Sequence, residues 1–167
     1  SYEPAIDLAG ARAVHVPLDP QTFAVDWERV RAAVTPKTRL LIVNSPHNPS
    51  GAMFDEADIR ALAALLDGTG IYLISDEVYE HMVYDGIRHE SIARWPELAA
   101  RSFVVSSFGK AYHVTGWKVG YVAAPAALTT EFRKVHQFNV FTVNTPMQHG
   151  LASFMADPSH HLDLPAF

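Results

Sequence analysis

Residues 71–80 read IYLISDEVYE, an apolar run that ends directly on two carboxylates. A strand with one wet face alternates apolar and polar side chains, because successive side chains point to opposite faces. Ile71–Asp76 shows no such alternation and is predicted as a strand covered on both faces. Outward from it, Leu40–Asn44 and Phe103–Ser106 are strands of the same kind, and Ala13–Pro17 is expected as a short one. Between them Asp26–Val34, opening near a good capping aspartate, and the alanine- and leucine-rich Glu56–Leu66 are helices. Apolar strands interleaved with helices specify an α/β fold of three layers, a mostly parallel sheet with helices on both faces. Gly120–Ala124 follows too soon for a regular right-handed helical crossover and is expected to run antiparallel to its neighbour. Beyond Pro125, Ala126–Gln137 reads as an amphipathic helix, FNVFTVNTP interrupts it, and Pro146 starts another helix through about Met155.

Asn48, Asp76 and Ser107 all follow the carboxyl ends of separate strands, the edge where open α/β sheets bind ligands. Residues 106–120, SSFGKAYHVTGWKVG, set the amine of Lys110 three residues after Ser107 and eight before Lys118. A lysine so placed can form an imine with an aldehyde, while a hydroxyl and a cation hold a phosphate on the same molecule. The combination suggests pyridoxal phosphate, with an exposed turn as the plainer alternative. In residues 43–51, VNSPHNPSG, two X-Pro steps present Asn48 rigidly, either to donate to a cofactor oxygen or simply to cap a turn. Asp76 can pair with a protonated pyridine nitrogen, and Tyr79 can reach the ring's phenolic oxygen. Glu77 and Glu80 read as helix-start or surface carboxylates.

These segments, NSPHNPSG, SDEVYEHMVYDG and SSFGKAYHVTGWKVGY in that order, closely resemble the fold-type I pyridoxal-phosphate enzymes, specifically the class I/II aminotransferases. The last of them, with KVHQFNVFTVNTPMQ, is most similar to the branch holding bacterial methionine aminotransferase and the kynurenine/glutamine aminotransferases. The resemblance implies Lys110 as the Schiff-base lysine, Asp76 on the pyridine nitrogen, Asn48 and Tyr79 on the ring hydroxyl oxygen, and Ser107 and Lys118 on the phosphate. Lys118 stands where many members carry arginine, so a point charge replaces a bidentate fork. The implied activity moves an amino group from an L-amino acid, large and apolar or aromatic, to a 2-oxo acid. A β-lyase acting on cysteine conjugates shares the same early chemistry, and an inactive cofactor-binding or dimerisation fragment is the alternative of a different class.

At 167 residues the chain suffices for one core, yet enzymes of this resemblance are about twice as long or more, so it reads as a piece of one. By that likeness residues 1–143 belong to a large cofactor domain, residues 144–167 form the interdomain helix and the start of a small domain, and the complete protein is expected as a cytoplasmic homodimer. Phe141 or Thr142 either serves a partner's site or packs within its own core. Hydrophobic residues make up 49% and charged residues 19% of the chain, which fits neither a disordered tract nor a nucleic-acid surface at a formal charge of −5. An uninterrupted apolar run of membrane-spanning length is missing from the sequence. With no cysteine there is neither a disulfide nor a thiolate metal site, and the nine histidines have no recognised zinc spacing, so no metal is expected. His160 and His161 read as surface or linker residues, and Trp117, Tyr112 and His113 as packing around the proposed phosphate region.

Overall fold

The computed structural model describes residues 2–162, with the side chains of His161 and Leu162 outside that description. The chain divides into two compact units, residues 1–38 and 39–167. In the first, helix α1 (Glu3–Leu8) has a proline in its first turn, and helix α2 (Trp27–Ala33) is capped as expected, Asp26 accepting from the N–H groups of Glu28 and Arg29. The strand expected at Ala13–Pro17 does not form. A strand exists only through a ladder partner, and no described strand pairs with this segment.

The second unit is built on a four-stranded sheet of order β1 (Leu40–Asn44), β2 (Tyr72–Asp76), β3 (Ser102–Ser107) and β4 (Gly120–Ala123). The first three run parallel and β4 is antiparallel to β3, the direction its short connection requires. The register sets Asn44 beside Asp76 and Asp76 beside Val105, so the carboxyl ends of three strands lie in one row. Helix α3 (Glu56–Leu66) opens on a capping box in which Asp55 accepts from Asp58 N at 2.9 Å and Asp58 accepts from Asp55 N at 3.2 Å.

Ile59, Leu62 and Leu66 of α3 are buried with Leu73, Ile92, Leu98 and Val104 in the core. Ser102 reaches back to Leu98 O of helix α4 (Pro96–Ala99), which places α4 on one face of the sheet. Phe103 points the other way and meets Phe132 of helix α6 (Ala126–Asn139) at 6.3 Å between ring centroids. Helices therefore lie on both faces. Burial nevertheless alternates along β2 and β3, the Leu73 and Ser75 side closed and the Ile74 and Asp76 side half-buried. Between β3 and β4 a short helix, α5 (Phe108–Ala111), continues directly from the strand. Helices α7 (Thr145–Met155), capped by Asn144, and α8 (Ser159–Leu162) complete the described chain. Among the described residues no helix is long and apolar enough to cross a membrane.

Candidate functional site

The β1 end is organised by one amide. Asn44 Nδ2 donates to Asp76 O at 2.9 Å, and Asn44 Oδ1 accepts from Asn48 N at 3.0 Å, so the loop carrying Asn48 is tied to both β1 and β2. The two X-Pro bonds in this loop, Ser45–Pro46 and Asn48–Pro49, are both cis. Asn48 Nδ2 then donates to the Tyr79 hydroxyl at 3.2 Å, bringing together two side chains 31 residues apart in sequence. Asp76 is half-buried on the more open side of the sheet, and its Oδ1 accepts from Val78 N at 3.2 Å.

Ser107 ends β3 and caps α5, its hydroxyl accepting from Gly109 N at 3.1 Å. Lys110 follows in α5, half-buried, and among the described residues its amine has neither a hydrogen bond nor an ion pair. A Cβ on Gly109 would stand 2.8 Å from Thr115 Cα, so only glycine lets the turn at residues 115–117 pack this closely on the lysine-bearing helix. Thr115 secures that contact by donating to Gly109 O at 3.0 Å. Gly120 likewise admits Ser106 O, which would be 2.7 Å from a Cβ there. The pairing of Ser107 with Gly120 brings Lys118, two residues earlier, to the Ser107 end of the sheet. Lys118 is exposed and held in the left-handed region, φ 55° and ψ 43°, a conformation that costs a non-glycine residue about 1 kcal/mol.

Of two carboxylates read as helix-start or surface groups, Glu77 is built into the interior and Glu80 is half-buried. Glu77 is 1% exposed and accepts from Ser75 Oγ at 2.8 Å, His89 Nε2 at 2.9 Å and Ile92 N at 3.0 Å. Burial pushes its carboxyl up, but the bonds from His89, Ser91, Ser75 and Ile92 together outweigh burial and hold it below its ordinary value. Glu80 accepts from Ser106 Oγ at 2.7 Å and from the Tyr121 hydroxyl at 2.6 Å. Burial and that bond raise Tyr121 to about 12. Tyr121, Phe108, Tyr112 and Phe154 continue as an aromatic chain with centroid spacings of 5.4, 6.2 and 5.5 Å, which links both ends of α5 to β4 and α7. Tyr112 thus packs as expected. Strand periodicity held the signal for Glu77, which continues the buried Leu73 and Ser75 positions; its donors come from a distant segment.

Phe141 is 76% exposed, so it does not pack in a core of the described residues. His160 is exposed and stacks on Phe154 at 4.1 Å, while the side chain of His161 lies outside the described residues. Among the described residues no cluster of histidine and acidic groups is arranged to hold a metal ion.

The sheet and its neighbours in known structures give the chain the fold of the fold-type I pyridoxal-phosphate enzymes. A family model described as aminotransferase class I and II matches residues 1–164, and the chain belongs to that family, which uses pyridoxal phosphate. It is 49% identical to a methionine aminotransferase of Escherichia coli K12 over 168 residues, covering 100% of this chain and 44% of that protein. A kynurenine–oxoglutarate transaminase 1 of Mus musculus is 34% identical, with 99% and 42% covered. The crystal structure of an Escherichia coli protein reported with a methionine aminotransferase function superposes with a TM-score of 0.96 at 48% identity, over 99% of this chain and 44% of that one. The chain thus spans under half the length of the relatives it matches.

Proposed function

We propose that the protein to which this chain belongs transfers an amino group from a large apolar L-amino acid, methionine-like or aromatic, to a 2-oxo acid. The observation that carries this reading is the Asn48–Tyr79 hydrogen bond at the carboxyl edge of the sheet, close in the chain to Asp76, on the same edge as the Lys110 amine, which has no partner among the described residues. The donor set fits pyridoxal phosphate: a carboxylate for the pyridine nitrogen, an amide and a phenol for the ring oxygen, an amine for the aldehyde, and a hydroxyl with a cation for the phosphate. When bound, that cofactor supplies the electron sink that makes an amino acid's α-proton removable.

Asp76, offering an anionic acceptor, favours the protonated ring nitrogen. Asn48 would donate to the ring oxygen, and its bond to the Tyr79 hydroxyl orients Tyr79 for the same task. Ser107 and Lys118 anchor the phosphate, the lysine as a point charge. Lys110 supplies the anchoring amine and, freed by the substrate's own amine, carries the α-proton as a general base. Residues 1–143 contribute to the large domain and 144–167 lead to the small one. The complete protein works as a homodimer in the cytoplasm, the dimer being supported by the exposed Phe138, Val140 and Phe141. The 167-residue segment alone, at under half its relatives' length, is expected to turn nothing over.

The test uses full-length protein. Borohydride reduction with pyridoxal phosphate followed by peptide mapping should place the adduct on Lys110, and methionine should convert the bound cofactor to its amine form with release of the 2-oxo acid. An adduct on another lysine refutes the site. Pyruvate and ammonia from a cysteine conjugate, without the amine form, assign a lyase instead.

A further inference from the structure

Glu77 sits between Asp76 and Tyr79 in sequence but projects to the opposite side of the sheet from Asp76. It continues the buried side of β2 formed by Leu73 and Ser75, in an interior that tolerates a carboxylate only when donors saturate it. Of its donors, His89 Nε2 and Ile92 N come from 12 and 15 residues further along the chain. The backbone of the same peptide is pinned from both flanks. Asp76 O accepts from Asn44 Nδ2 at 2.9 Å and Ser45 N at 3.2 Å, while Glu77 N donates to Val105 O at 2.8 Å.

The segment that leaves Glu77 and returns at His89 carries Tyr79 near its start and turns at Asp85 and Gly86, both at positive φ. Its other backbone bonds are short-range turns, such as Met82 N to Tyr79 O and Ile87 N to Tyr84 O, and Tyr84 and Ile87 are exposed. Near its start the loop is tied to the sheet by Glu80, which accepts from Ser106 and Tyr121, and by Tyr79, which accepts from Asn48; the Glu77–His89 contact closes its returning end. Among the described residues His89 Nδ1 is buried without a hydrogen-bond partner, so the ring's one satisfied nitrogen there is the one spent on Glu77. A proton on Nε2 follows from the carboxylate it faces.

We propose that the buried Glu77–His89 pair is a positioning element for the cofactor site, closing the loop of residues 77–89 and so fixing Asp76 and Tyr79 relative to each other. The proposal rests on the reading that Asp76 and Tyr79 hold the cofactor. Neither Glu77 nor His89 need touch it. The pair acts by holding two residues that do, one through the strand end and one through the loop.

In full-length protein, Glu77→Gln, His89→Phe and His89→Gln separate positioning from mere support. Removing a group that orients a ligand-holding residue costs about 10-fold in affinity. Glu77→Gln and His89→Phe are thus expected to weaken cofactor binding to the apo-protein about 10-fold and to shift the pH midpoint of the bound cofactor's visible band. His89→Gln, which keeps an N–H donor, should recover much of both, and the Glu77→Gln/His89→Phe double variant should bind no worse than the weaker single one. If the cofactor-free variants melt earlier but bind within about twofold of the parent with an unmoved band, the pair only supports the fold and the proposal is overturned. Should Glu77→Gln not fold, the two His89 variants decide the question alone. Asp76→Asn is the separate control: undiminished cofactor binding in that variant would refute the site reading itself, whatever Glu77 does.

Discussion

Glu77 and Lys110 are charged side chains at the carboxyl edge of one sheet, and the protein treats them oppositely. Glu77 is enclosed and takes bonds from Ser75, His89 and Ile92, whereas Lys110 is half-buried and has no partner among the described residues. A buried polar group that is saturated holds the fold together, while one left unsaturated is available to a ligand. The contrast separates the frame of the site from its chemistry, although both are charged residues in the same short stretch of sheet.

The contrast breaks most sharply at Lys110. Lys110→Ala in the full-length protein should lower amino transfer about 10⁴-fold in a single-turnover assay, with little change in the thermal midpoint of the cofactor-free protein. Glu77→Leu should do the reverse. It strands the donors of His89, Ser75 and Ile92, and chemical denaturation of the cofactor-free protein should show a loss of about 3–5 kcal/mol. Acid sharpens the same point. The Glu77 carboxyl is held below its ordinary 4.5 in the folded state, so its contribution is complete above that value and drains away as the pH falls through the depressed one. The stability gap between the parent and Glu77→Gln should accordingly narrow on acidification; a gap that widens would contradict the assignment.

Much of the frame was legible because its signals are local. The capping Asp26 and Asp55, the alanine-rich α3 and the short connection before β4 each carry their physics within a few residues. The strand-end placement of Asp76 and Ser107 was legible for a related reason, since each closes an apolar run. Glu77 and Glu80 were misjudged because a carboxylate after a strand looks the same whether its donors are water or a segment that returns later. Here His89 and Ile92 reach Glu77, and Ser106 and Tyr121 reach Glu80. Ala13–Pro17 failed in the converse way: its residues suit a strand, but a strand also needs a neighbour.

Smaller effects probe the boundary between frame and chemistry. Gly109→Ala forces a methyl to 2.8 Å from Thr115 Cα, backbone against backbone, and should destabilise by about 1–3 kcal/mol while displacing the helix that bears Lys110. Cofactor affinity and denaturation midpoint should fall together, unlike in Lys110→Ala. Tyr121→Phe removes one of the bonds on Glu80 and should cost about 1 kcal/mol near neutral pH. Tyr121 is raised to about 12 in the fold, so its share of stability is complete below the ordinary value of 10 and disappears as the pH climbs through about 12. Urea titrations at neutral and strongly alkaline pH should therefore converge for parent and variant.

The sheet order β1-β2-β3-β4 also has a meaning in time. Each strand pairs with the one made just before it, so a chain emerging from the ribosome meets a freshly completed edge at every addition. Asn48 is laid down first, then Asp76 and Tyr79, then Ser107, Lys110 and Lys118. The loop closed by His89 can be locked before β3 is synthesised. Lys110 is thus among the last candidate site residues to arrive, after the strands leading to Asn48 and Asp76 have been made.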